Sequence, residues 1–151
     1  MNHSSSRGFS LVELAVTLVV IGLVLGFSVP AFQSYNRHQQ LKGATENVAG
    51  QLRLLRETAI GIGQTQTMHF TANWLYNGQL SDYHIHNGLL PPGAMWRLPR
   101  DVTYYWGVGT NAVITSGTDG RMTSSGLIIL QDTQGNRDTV STLASGLVLT
   151  K

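Results

Sequence analysis

His84 and His86 in DYHIHN stand two residues apart, a spacing that on a strand points both imidazoles the same way, and His69 could join them as a metal site. The plainer reading puts Tyr83 and Ile85 in the core and the histidines in solvent. With no cysteine in the chain and no carboxylate cluster nearby, the plainer reading is preferred, and neither a metal nor another cofactor is expected. Ser, His and Asp all occur, but nothing resembles a nucleophile elbow or an ordered triad. Gly61, Gly63, Gly107 and Gly109 lack the following helix and lysine that a phosphate loop requires. The chain is therefore read as non-enzymatic.

Phosphate binding is the next chemistry to weigh. Arg97 and Arg100 flank Leu98 and Pro99 near Trp96, Tyr104, Tyr105 and Trp106, the best basic and aromatic patch for a nucleic acid. Nucleic-acid binding wants clustered cations, whereas the whole chain carries a net charge of only +2. Two arginines facing water beside aromatics that fill a core is the preferred reading. This leaves Glu13 as the charge that most needs an explanation.

From Phe9 to Phe32 the chain carries no charge except Glu13. A carboxylate in a bilayer costs roughly 2.5 to 3.5 kcal/mol at a helix centre and less near the interface, so it needs a partner. The apolar run exceeds the roughly 20 residues that cross a bilayer as a helix. A secretory signal peptide is the alternative, but the run is long for one and SVPAFQSYNRHQQ offers no clear small-x-small cleavage site. Gly22, Gly26 and Pro30 recur every four residues on one helical face, and Pro30 predicts a kink or break.

Beyond Phe32 the pattern turns amphipathic. Leu41, Ala44, Val48, Leu52, Leu55, Ala59 and Ile62 follow three- and four-residue steps, with Arg37, Lys42, Glu46, Gln51, Arg53 and Glu57 on other faces. The same helix thus continues to Gly61 and Gly63, about 80 Å from Phe9 at roughly 1.5 Å per residue. Short strands are predicted at 65–70, 75–76, 82–86, 102–106, 112–115, 126–131, 138–142 and 146–149, separated by Asn-Gly, Pro-Pro-Gly, Thr-Asp-Gly and Gln-Gly-Asn turns. The fold class expected is α+β: one long amino-terminal helix as the spine of a small antiparallel sheet domain.

Within GFSLVEL, the residues Gly8, Phe9 and Glu13, followed by the apolar helix, resemble the class III signal of type IV pilins and type II secretion pseudopilins. The resemblance implies cleavage by a prepilin peptidase between Gly8 and Phe9, with N-methylation of Phe9. It also implies that Glu13 meets the Phe9 amine of a neighbouring subunit in a filament. A free α-amine has a pKa near 7.7 to 8.0 and is largely cationic at neutral pH, so the two charges would neutralise each other. Gly22 and Pro30 match positions where pilins loosen the helix on leaving the membrane.

Four segments follow from this: a leader over 1–8, a transmembrane and filament-core helix over 9–32, its amphipathic continuation over 33–63, and a periplasmic β-rich domain over 64–151. The carboxy-terminal GTDGRMTSSGLIILQDTQGNRDTVSTLASGLVL resembles the GspH/FimT-like minor pilins and pseudopilins through Asp119, Gly120, Arg121, Gly135 and Gly146. The implied role is a minor pseudopilin of a type II secretion pseudopilus, or alternatively a FimT-like minor pilin of a type IV pilus. Implied partners are the prepilin peptidase, other pilins or pseudopilins, the inner-membrane assembly platform and membrane lipid before assembly. Implied localisation is the bacterial inner membrane, single-pass, and then the filament. DNA is a weaker partner: removal of Arg7 leaves side chains at +1, and the end SGLVLTK offers only Lys151, so contacts would fall to Arg97, Arg100 and Lys151.

Overall fold

The computed structural model describes residues 9–87, 93–105, 112–122 and 126–151, apart from the side chains of residues 30 and 31. Among the described residues one long helix, α1 (Leu11–Ile62), is followed by eight strands: β1 (Gln66–Tyr76), β2 (Gln79–Ile85), β3 (Met95–Trp96), β4 (Val102–Tyr104), β5 (Ala112–Ser116), β6 (Leu127–Asp132), β7 (Arg137–Thr142) and β8 (Val148–Thr150). This is the expected α+β class. The chain divides into two units, Met1–Asn36 and Arg37–Lys151.

In the first unit, α1 is apolar on all sides and its large side chains are exposed from Leu11 to Phe32, wherever they are described. Its apolar stretch is long enough to cross a membrane. Of the kink or break expected at Pro30, the break does not occur, because the helix runs through position 30 without interruption. A proline removes one hydrogen bond, whereas a break would leave several backbone groups unpaired in an apolar medium. The Pro30 side chain itself lies outside the described residues.

In the second unit, Leu41, Ala44, Thr45, Val48, Ala49, Leu52, Leu55 and Ala59 of α1 are buried. The predicted stripe is the core stripe, except that Ile62 is exposed at the helix end. Gly63, with φ 63°, supplies the left-handed residue after the last turn, and its N–H donates to Ile60 O at 3.3 Å. Gly61 is still inside the helix.

The strands form two antiparallel four-stranded sheets, in the orders β3-β2-β1-β5 and β4-β6-β7-β8, rather than a single one. Met68, Phe70, Tyr83 and Ile114 from the first sheet and Tyr104, Ile128, Leu130 and Val140 from the second share one core cluster with the helix stripe. The segments expected separately at 65–70 and 75–76 are one strand, β1, with a register shift between Phe70 and Trp74 and a left-handed Asn73, φ 54°. The Asn77-Gly78 hairpin, with both φ values positive, turns β1 into β2 as that dipeptide predicts. β3 went unpredicted because two residues carry no periodicity. Trp106, at the end of the expected 102–106 strand, lies outside the described residues, as do Gly107 and Gly109.

Candidate functional site

The first turn of α1 builds the site around Glu13. Ser10 Oγ accepts a hydrogen bond from the Glu13 N–H at 3.2 Å, and the Ser10 N–H donates to Glu13 Oε2 at 3.4 Å. This reciprocal pair is a capping box, which satisfies donors that a helix start otherwise leaves without partners. The S-x-x-E spacing from Ser10 to Glu13 is the sequence signal for this cap. Among the described residues Glu13 has no ion-pair partner, and both it and Phe9 are exposed. A carboxylate held at the positive end of a helix dipole, open to solvent or lipid, is available to a cation from outside the chain. Gly8, on the other side of the expected cut, lies outside the described residues. Among the described residues, and apart from the helix's own backbone, nothing lies within 4 Å of where a Cβ on Gly22 or Gly26 would stand, so this helical face is open to a neighbour.

The carboxy-terminal motif does different work. Asp119 Oδ1 accepts from the Arg121 N–H at 3.0 Å, closing a tight turn in which Gly120 has φ 76°. The Gly120 carbonyl accepts from Arg56 Nε of α1 at 2.9 Å. Gly146, φ 83°, lies against the same place: a Cβ there would collide with Gly120 O and stand 2.5 Å from Arg56 Nε. Arg53 Nη2 reaches Val148 O at 3.4 Å. Asp119, Gly120 and Gly146 therefore shape two loops that lie against Arg56 of the helix, the partner that sequence reasoning did not identify, whereas Gly135 serves the turn between β6 and β7, its N–H donating to Asp132 O at 3.1 Å.

The residues considered for nucleic acid do not come together. Arg97 and Arg100 share a groove of about 600 Å³, whereas Lys151 exchanges backbone hydrogen bonds of 2.8 and 2.9 Å with Thr139 beside β8, the far edge of the second sheet from β4. The nearby rings are already occupied. Trp96 stacks on Tyr83 at 5.4 Å, the Tyr104 hydroxyl donates to Asp82 O at 2.8 Å, and Arg137 lies 3.6 Å from the centre of the Tyr105 ring. Burial raises the Tyr83 phenol to about 12, with the Asp82 charge adding to it, and the same causes raise Tyr104.

The histidines depart from expectation. His84 is buried, with 3% of its surface exposed, instead of facing solvent. The irregularity in β1 brings Trp74 over it at 3.9 Å, with His69 at 5.4 Å and His86 at 6.0 Å. Burial, then the neighbouring imidazoles His69 and His86, lowers His84 to about 4, and burial followed by His86 lowers His69. His84 Nδ1 is buried without a hydrogen-bond partner among the described residues. Among the described residues no group of three His, Cys, Asp or Glu side chains is placed to hold a metal ion.

Residues 3–29 match a family model described as the prokaryotic N-terminal methylation motif. No curated protein and no solved structure matches the chain. The match spans the first part of α1, where the capped Glu13 stands, and does not extend to the carboxy-terminal domain. The chain thus carries a prepilin-type methylation motif at its amino terminus, and such a motif implies processing by prepilin peptidase and assembly with other pilins.

Proposed function

We propose that this protein is a non-enzymatic minor pseudopilin of the GspH/FimT-like kind, anchored in the inner membrane with its carboxy-terminal domain in the periplasm. Prepilin peptidase cuts between Gly8 and Phe9, the new Phe9 amine is methylated, and the subunit joins a type II secretion pseudopilus. The observation that carries this reading is a capped Glu13, without an ion-pair partner among the described residues, at the start of an exposed apolar helix and within a prepilin-type methylation motif. Its carboxylate pairs with the Phe9 amine of a neighbour, and neutralising both charges permits their burial among packed helices. Gly22 and Pro30 ease the passage of the helix from lipid to filament.

The alternative, a FimT-like minor pilin of a type IV pilus, shares every one of these steps and differs in the filament joined. Deletion of the gene separates the two. Loss of protein export with surface pili intact supports the secretion reading; loss of pili with export intact contradicts it. Mass analysis of the purified chain tests the processing step, since a mature protein beginning at methylated Phe9 is expected. A chain retaining the first eight residues, or an unmethylated Phe9, would contradict it.

A further inference from the structure

The segment from β3 to β4 forms the outer strand of both sheets, since β3 ends one and β4 ends the other. No strand among the described residues pairs with the other side of β4, which borders the groove lined by Asn73, Arg97, Leu98, Arg100 and Tyr104. The Tyr105 N–H donates to Ile129 O at 2.9 Å, and Thr103 pairs with Gln131. By the alternation of an antiparallel ladder, the backbone groups of Tyr104 therefore point away from β6, toward the open side. The Val102 N–H is already satisfied by Pro99 O at 3.0 Å. An open strand edge of this kind is a template for an added strand.

The charges around this edge select the sign of what is added. Arg97 and Arg100 are exposed, and Arg100 has no ion pair among the described residues. The acid closest to Arg97 is Asp82, at 4.0 Å, but its two oxygens are already held at 2.9 Å by the N–H groups of Asn73 and Leu98. Asp101, half-buried, is the other acid on this stretch. Leu98, Pro99 and Val102 supply apolar walls for alternate side chains. A duplex or a long single strand would need a track of cations and free ring faces; here Lys151 is at the opposite edge and the rings of Trp96, Tyr104 and Tyr105 are engaged.

We propose that the free edge of β4 and the groove beside it bind an extended acidic segment of a partner protein, added as a strand, with Arg97 and Arg100 pairing its carboxylates. The inference concerns the domain and holds for either filament.

Fluorescence anisotropy of the full chain in detergent, with a labelled, short alternating Glu-Val peptide, tests it directly. The expected result is salt-sensitive binding, weakened about tenfold or more in R97E/R100E, together with slowed exchange of the Tyr104 amide. The same peptide N-methylated on alternate amides should fail to bind, because it cannot complete a ladder. The milder R97Q/R100Q pair, checked for an unchanged unfolding midpoint, guards against loss through misfolding. No binding, equal binding of the N-methylated peptide, or wild-type affinity in both arginine variants would overturn the proposal. So would tighter binding of oligo-dT through the same arginines, which would assign the groove to nucleic acid instead.

Discussion

Val20, Leu23 and Phe27 are chemically the same kind of residue as Val48, Leu52 and Leu55 and lie on the same helix, α1. The first three expose 52%, 58% and 78% of their surface, whereas the last three expose none. The difference lies in what meets them. The later half of the helix is met by two sheets of its own chain, whereas the large described side chains of the earlier half are exposed. Since burying a Leu, Val or Phe is worth about 1.5 to 3 kcal/mol, the exposed half is stable only in lipid or against other helices. A helix can thus be folded along its whole length and still be complete along only part of it.

Removing one leucine from each half should break this comparison most sharply. Leu52→Ala should destabilise the domain by about 2 to 5 kcal/mol, read as a lower unfolding midpoint. Leu23→Ala should leave that midpoint unchanged and lower the yield of the subunit in filaments. Equal effects on the midpoint would mean that the two halves do not differ as described. Gly146→Ala comes next. Left-handed strain and a collision with Gly120 O and Arg56 Nε should cost about 2 to 4 kcal/mol, against about 1 kcal/mol for Gly135→Ala. Gly135 has a similar φ, 86°, but its Cβ would meet only Gln131 Nε2, at 3.6 Å.

Acid should act on the domain through His84. Its folded pKa, about 4, lies below the unfolded value of 6.5, so the unfolded state takes up more protons between them. The stability associated with neutral His84 is therefore fully present above about pH 6.5 and is lost as pH falls toward 4, by on the order of 2 kcal/mol. His84→Phe keeps a ring under Trp74 and should flatten that part of a pH-melting profile. Ser10→Ala is the mildest test. Loss of the cap should cost the first turn of α1 about 1 kcal/mol, seen as faster amide exchange there, with the domain's unfolding midpoint unmoved.

What the sequence disclosed follows the range of each signal. A three- and four-residue stripe repeated from Leu41 to Ala59 survives any local irregularity, so the helix and its buried face were legible. Asn77-Gly78 announced its hairpin because only a few residue types accept two left-handed positions. The division into two sheets was hidden, because strand order rests on distant pairings such as Val102 with Asp132. His84 was misplaced because a shift in β1, anchored by Asp82 on the Asn73 N–H, carries Trp74 over it. At the amino terminus, the methylation motif that contains Phe9 and Glu13 was legible from its residue types, whereas the Ser10–Glu13 cap rests on one local spacing inside an apolar run.

Incorporation of Glu13→Ala into filaments tests the central claim, that the exposed half of α1 is completed by neighbours through this carboxylate. The variant should insert in the membrane, be cut after Gly8 and be absent or strongly depleted in filaments sheared from cells or purified from the periplasm. A processed Glu13→Ala chain present in those filaments at the wild-type level would contradict the account.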